Sequence, residues 1–321
     1  MKKAYICLDI GGTKVLGAVF DENLKIICKV KKKTKAEEGQ EKIEERIISI
    51  VEELIAQSGI SKENLAAIGA GAPGIINEDT GEIIYTPNIP WRNYNIRKVI
   101  ENKFKVPFFI GNDVKMGVLG EWKYGAGKNM EDIVGIFVGT GIGGGVIINN
   151  KLYSGARHSG TEIGHMIINT EGPYCNCGQR GCLEAYASKI AITKDIKSQM
   201  NRGRKTILKD LMEENTLVIK SKTLKKAIDE KDELAIEVVD KAIYYLAAGA
   251  GSLINIFNPN MMIMGGGVFE ALGDYMLPLL KEQIKKFSMP VVLEGTEIVQ
   301  SKLNDDSILF GSLALINGKM N

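Results

Sequence analysis

Between His165 and Cys182 the chain gathers one imidazole and three thiols, the latter as Cys175, Cys177 and Cys182 in a C-x-C-x4-C loop. Three thiolates and an imidazole form a closed tetrahedral zinc set with no open position, so the chemistry expected is structural rather than catalytic. Gly178 and Gly181 leave the loop free to fold round an ion. The three cysteines are too closely spaced for a disulfide framework, and in a reducing compartment such spacing favours metal. Glu162 and Glu184 bracket the loop. Carboxylates and a neutral imidazole nitrogen are suitable partners for vicinal sugar hydroxyls, although by composition alone each Glu reads more simply as a solvated charge. His158, the other histidine, has no such company and reads as a loop residue.

A second chemistry is written in the glycines. Asp9-Ile10-Gly11-Gly12-Thr13-Lys14 sets a carboxylate at a strand end, followed by glycines and a hydroxyl. Phosphate needs close backbone approach and convergent N–H donors, and a nearby carboxylate is suited to holding Mg²⁺ through water. Taken alone, the segment fits a plain hairpin turn as well. The same holds for Gly139-Thr140-Gly141 with Gly143-Gly144-Gly145, and it is the pair together with Gly265-Gly266-Gly267 after an apolar strand that points to a nucleotide. None of the three is a Walker or dinucleotide pattern. Asn112-Asp113 follows an apolar strand and opens a helical segment. Its carboxylate is placed to accept a proton from an attacking hydroxyl, yet the dipeptide by itself fits a helix N-cap better.

These residues need strands and helices to hold them. Residues 4–20 read as strand, turn, strand, and 24–31 as a third strand. Ile43, Ile47, Ile50, Val51, Leu54 and Ile55 recur at helical spacing over 41–57. Strands follow near 66–70 and 106–110 with a helix over 95–104 between them, then a strand–glycine–strand unit over 133–148. The stretch 189–230 reads as helical and polar, 233–257 as a long core helix, 261–264 as a strand and 269–287 as a helix. A late strand over 290–299 and a helix over 307–316 close the pattern. The two glycine–threonine hairpins, at 8–20 and 137–148, echo each other as a duplicated α/β unit would, the copies facing across a cleft.

The totals set limits. At 321 residues the chain exceeds what one core usually holds, so two domains are expected. A formal charge of +2 provides no field for nucleic acid or a membrane surface. Neither a secretory leader nor a membrane span is expected, since the apolar run after Met1-Lys2-Lys3 is short and none approaches roughly 20 residues. Cys7 and Cys28 fall in strand-like segments as buried thiols.

The segments DIGGTK at 9–14, GAPG at 71–74, PNIPW at 87–91, GND at 111–113, VGTGIGGG at 138–145, EIGH at 162–165, CNCGQRGCLE at 175–184 and GGG at 265–267 resemble the ROK (repressor, open reading frame, kinase) sugar kinases over essentially the whole chain. The resemblance implies an α/β fold of two actin-like, ribonuclease-H-like ATPase domains around a central cleft, over 1–115 plus about 305–321 and over 116–304 with the zinc loop. It implies Asp113 as catalytic base and Asn112, Asp113, Glu162, His165 and Glu184 at the sugar, with Gly74 and Asn88 lining the same pocket. Gly11, Gly12, Thr13, Thr140 and Gly141 would hold phosphates, with Asp9, Lys14 and Gly139 in the same nucleotide set and Gly266 and Gly267 near the nucleoside. Zinc would sit on His165, Cys175, Cys177 and Cys182. ATP, Mg²⁺ and structural Zn²⁺ are the cofactors implied, in a cytoplasmic homodimer or homotetramer phosphorylating glucose, or else fructose, mannose or N-acetylmannosamine. A non-catalytic sugar binder is a further alternative. Repressors of the family carry an added helix-turn-helix, for which a hairpin beginning by residue 9 leaves no room. Gly160-Thr161 stands where the family often has Ala-Gly, so the pocket's sugar is less fixed than its reaction. Because the phosphate turns lie elsewhere in sequence, metal loss is expected to weaken sugar binding more than ATP binding.

Overall fold

Residues 4–20 are apolar at nearly every position outside Asp9–Lys14, so strands built from them need cover on both faces. The computed structural model describes residues 3–212 and 216–320. Residues 1, 2 and 321, at the ends of the first expected domain, and 213–215 of the expected helical stretch lie outside them. The chain forms two compact units, Met1–Asn129 with Leu152–Gly160 and Asp305–Asn321, and Met130–Lys151 with Thr161–Asn304.

In the first unit β1 (Ala4–Ile10), β2 (Lys14–Phe20), β3 (Ile26–Lys33), β4 (Leu65–Ala72) and, after the shorter strands below, β8 (Phe108–Asn112) form one sheet in the order β3-β2-β1-β4-β8. The first three strands run antiparallel, and β4 and β8 run parallel to β1. Strand alternation sorts the cover. Ile6, Leu8 and Ile10 pack with Ile43, Ile47, Ile50 and Leu54 of α1 (Gln40–Ser58) and Ile96 and Ile100 of α2 (Ile96–Phe104). Cys7, Ala18 and Phe20 pack on the opposite face with Leu309, Leu313 and Ile316 of α11 (Ser307–Met320). That second face is also where α3 (Asp113–Tyr124) lies against α11. A small sheet of β5 (Ile75–Asn77), β6 (Glu82–Tyr85) and β7 (Arg92–Asn95) was not expected from the sequence. Its strands are short, and the turn between the first two is held by the Asn77 side chain, which accepts from the Asp79 and Thr80 N–H groups.

The second unit repeats the order. Its sheet runs β11-β10-β9-β12-β13, made of β9 (Ile133–Val138), β10 (Ile142–Ile148), β11 (Lys151–Leu152), β12 (Met261–Gly265) and β13 (Glu297–Gln300). β10 is antiparallel to β9, and β12 and β13 run parallel to it. The strands β2-β1-β4-β8 therefore recur as β10-β9-β12-β13, the ribonuclease-H-like arrangement. Its helices are α4 (Glu184–Ala187), α5 (Lys189–Asn201), α6 (Leu208–Leu211), α7 (Ser221–Asp229), α8 (Glu233–Phe257) and α9 (Gly267–Ile284). α8 buries Leu234, Val238, Ala242, Leu246, Ala250 and Leu253 at helical spacing and packs on α9.

The strand expected over 290–299 is corrected. Pro290–Leu293 is a helical turn, α10, and only Glu297–Gln300 is strand. Pro290 stands at the first helical position, where its missing N–H costs nothing and its fixed φ suits a helix. Two valines then read as strand where the turn had already been set. Among the described residues no helix is long and apolar enough to cross a membrane.

Candidate functional site

In the first unit the expected residues meet at the carboxyl ends of the parallel strands, the edge at which open α/β sheets bind ligands. β4 lies between β1 and β8, with Asp9 opposite Gly71 and Asn112 opposite Ala72. Asp9 is 9% exposed. Burial, reinforced by the negative charge of Asp113, pushes its carboxyl up to about 7, against the pull of Lys14 and Lys31. A desolvated acid held beside a second acid suits a cation, so Asp9 fits the Mg²⁺ role.

Asn112 is the N-cap of α3. Its Oδ1 accepts from the Lys115 N–H at 3.1 Å, and its Nδ2 donates to the Gly74 carbonyl at 3.1 Å. Capping thus falls to Asn112, and Asp113 is the first helical residue, with Oδ1 accepting from its neighbour Val114 N–H at 2.9 Å. Gly74 is held at φ 95°, and a Cβ there would sit 2.1 Å from the Tyr85 carbonyl, so only glycine fits. Asn88 lies against the phosphate-type turn, since a Cβ on Gly12 would come within 2.9 Å of the Asn88 Cβ. The turn closes by Gly11 N–H donating to the Lys14 carbonyl at 2.9 Å. Thr34, which no motif marked, fastens it from β3's far end. Its hydroxyl donates to the Gly11 carbonyl and its N–H to the Thr13 carbonyl. Nothing in a linear string links Thr34 to a turn twenty residues earlier.

In the second unit Gly139, Thr140 and Gly141 form the β9–β10 turn, closed by Gly139 N–H to the Gly141 carbonyl at 2.9 Å. Gly266, at φ 85°, caps α9 and lies so close to Val138 that a Cβ would meet its carbonyl at 2.6 Å. A Cβ on Gly267 would meet nothing within 4 Å. The two glycine runs therefore sit side by side, and the second opens an 18-residue helix, as an anion-binding edge requires.

Glu162 to His165 follows the next layer. Ile163 packs on β10 because Gly144 and Gly164 lack side chains, and a Cβ on Gly164 would lie 2.0 Å from the Ile142 carbonyl. Glu162 is exposed, and the turn it opens carries no side-chain cap. Thr161 is held at φ 66°, the left-handed region that a β-branched residue rarely adopts, so its departure from the family pattern carries real backbone strain.

His165, Cys175, Cys177 and Cys182 offer one ligand atom each within 4.8 Å of one another. His165 Nδ1 lies 3.7 Å from Cys175 Sγ, and Cys177 Sγ lies 3.7 Å from Cys182 Sγ. Zn–S bonds of about 2.3 Å in tetrahedral array give an edge of about 3.8 Å, so the donor set fits zinc. Gly178 and Gly181 both take positive φ, as the loop requires. Burial raises the Cys175 thiol to about 12, against a hydrogen bond from the Cys177 backbone and with the Cys177 side chain, Glu184 and Cys182 adding to the rise. A bound cation is what would hold such a thiol as thiolate. Glu184, which the sequence assigned to a sugar, has Oε2 accepting from the Ile142 N–H at 2.9 Å and Oε1 3.6 Å from Cys175 Sγ. His158 belongs to the first unit, at φ 58°, its carbonyl accepting from the buried Lys115 ammonium at 2.9 Å.

The sequence model of the ROK family matches residues 5–319. Over 318 residues the chain is 32% identical to a glucokinase of Halalkalibacterium halodurans, covering 99% of this chain and 96% of that one. It is 31% identical over 283 residues to a xylose repressor of Caldicellulosiruptor bescii, covering 88% of this chain and 70% of the repressor. The solved structure of a ROK family glucokinase from Streptomyces griseus, in complex with glucose and AMPPNP, superposes with a TM-score of 0.83 at 28% identity, covering 99% of this chain and 100% of that one. Matched from end to end by the family, and carrying its glycine turns and its Cys/His loop in place on the fold, the chain belongs to the ROK family.

Proposed function

We propose that this chain is an ATP-dependent hexose kinase that phosphorylates glucose to glucose 6-phosphate. The observation that carries the reading is the division of labour at the head of α3. Asn112 takes the cap, and the adjacent Asp113, whose Oδ1 accepts from the Val114 N–H, is the carboxylate this reading assigns to proton transfer at the strand ends. The glucokinase relatives support the acceptor.

In this reading the sugar hydroxyl oxygen bonds to the γ-phosphorus as the bond to the β,γ-bridging oxygen breaks, and the hydroxyl proton passes to Asp113. Asn112, Glu162, His165 and Glu184 orient the sugar, with Gly74 and Asn88 shaping its surroundings. Gly11, Gly12, Thr13 and Lys14, and Gly139, Thr140 and Gly141, bind phosphates, while Gly266 and Gly267 take the nucleoside. Asp9 would hold Mg²⁺, which when bound would supply neutralisation of phosphate charge. Zinc on His165, Cys175, Cys177 and Cys182 supplies rigidity, because four protein donors leave no vacancy for substrate. We further infer a cytoplasmic homo-oligomer, for which sedimentation is the direct check. The central test is a coupled assay of glucose, fructose, mannose and N-acetylmannosamine with ATP and Mg²⁺. Glucose is expected to give the highest kcat/KM. A lead of about tenfold for another sugar overturns the glucose assignment, and turnover of none overturns the kinase.

A further inference from the structure

Segment 182–190 connects two features that sequence places far apart. At its start Cys182 is fully buried in the metal cluster, and Leu183 N–H donates to the Met166 carbonyl at 2.9 Å, next to His165. At its end Lys189 N–H donates to the Gly139 carbonyl at 3.1 Å and Ile190 N–H to the Thr140 carbonyl at 3.3 Å. Between them stands Glu184, one carboxylate oxygen on the Ile142 N–H and the other beside Cys175 Sγ. The turn 139–142 is thus gripped at three of its four residues by this one segment. Gly141 makes the grip possible, since a Cβ there would lie 2.3 Å from Glu184 Oε2.

An acidic residue opening a helix is commonplace, but α4 has only four residues and little dipole to answer. Glu184 instead accepts from an amide 42 positions away, on another element. We propose that Glu184 is a positioning residue that ties the metal loop to the turn 139–142, so that metal occupancy governs nucleotide binding as well as sugar binding. This rests on the reading of that turn as a phosphate site. It adds to the sugar-contact role, which alone would leave nucleotide affinity untouched in the absence of sugar. The force behind it is a hydrogen bond at a nearly buried amide, whose loss leaves the donor without its acceptor.

The test is calorimetric binding of a non-hydrolysable ATP analogue with Mg²⁺, without sugar, to four proteins: zinc-loaded wild type, wild type stripped by a chelator, Glu184→Gln and Glu184→Ala. Metal analysis and amide exchange at Ile142 and Ile136 accompany each. Glu184→Gln keeps an acceptor oxygen and is expected to bind the analogue nearly as well as wild type. Glu184→Ala and the stripped protein are expected to bind about tenfold more weakly. Exchange at Ile142 should quicken in both, while Ile136, inside β9, reports an intact sheet. Wild-type affinity in Glu184→Ala overturns the proposal. So does unchanged affinity and unchanged Ile142 exchange in the stripped protein. No analogue binding to zinc-loaded wild type overturns the phosphate reading of the turn, and the proposal with it.

Discussion

Asp113 and Asp9 are two carboxylates on one sheet edge with different environments. Asp113 opens a helix, where the N-terminal dipole favours negative charge, and Asp9 is desolvated at a strand end. Asp113→Asn keeps size and hydrogen bonding but cannot accept a proton. Turnover should fall on the order of 10²–10⁴-fold while sugar and nucleotide still bind. Near-wild-type turnover in the folded variant would remove the base assignment. Asp9 makes a prediction about stability. Its carboxyl is raised from the usual 3.8 to about 7, so the folded state binds the proton more tightly than the unfolded chain. The stability linked to that proton is full below about pH 4 and is lost as pH rises through about 7. Asp9→Asn, without ligands or Mg²⁺, should therefore be more stable than wild type at pH 8, on the order of 4 kcal/mol, with the difference closing at pH 4. Urea melts at the two pH values decide it. A larger gain at pH 4 would reverse the sign and the argument. The same substitution should abolish Mg²⁺-dependent turnover.

At the scale of elements, helix α3 carries Asp113 and is braced by α11 through glycines. A Cβ on Gly311 would lie 1.7 Å from the Met116 carbonyl, and one on Gly120 would lie 2.2 Å from the Ser307 carbonyl. In an exposed helix Gly→Ala gains up to about 1 kcal/mol from propensity. Here the new methyl meets backbone, which cannot rotate away, and overpacking of that kind costs about 3 kcal/mol. The clash wins, so Gly311→Ala should destabilise the protein by about 2 kcal/mol in urea unfolding and lower turnover by displacing α3. A stabilised Gly311→Ala would mean that α11 does not hold α3 as described. The turn 163–165 obeys the same logic of close approach, with Gly144 and Gly164 admitting Ile163 onto β10.

At the scale of the whole molecule, each unit carries a glycine turn at the carboxyl edge of a ribonuclease-H-like sheet. A kinase built this way must spend ATP on the sugar rather than on water, and enzymes achieve that by completing the reactive arrangement only when the acceptor is bound. Hydrolysis of ATP without sugar is therefore expected at a small fraction of the rate with glucose. Equal phosphate release with and without glucose, measured in one coupled assay, would contradict it.

Much of this was legible in the string because it depends on local spacing. The C-x-C-x4-C loop with His165 predicts a metal set, since ligands close in sequence reach one ion with little loop-closure cost. The apolar periodicities of α1, β9, β10 and α8 follow from which faces must be buried, and the glycine hairpins echo each other because the sheet order is repeated. What stayed hidden is what depends on residues distant in sequence meeting in space. Asn112-Asp113 alone favoured a cap without saying which residue makes it; the bond of Asn112 Oδ1 to the Lys115 N–H gives the cap to Asn112, and its Nδ2 reaches the Gly74 carbonyl, 38 residues earlier. Thr34 on the first turn, and Glu184 on the Ile142 amide, had no signal at all. Valines after Pro290 read as strand, because β propensity is local while the proline had already begun a helical turn. The sequence thus determined which chemical groups this protein owns and the elements that carry them. The tertiary structure alone decided which of those groups touch, because a hydrogen bond across a sheet or between loops is set by packing and leaves no periodic trace in the chain.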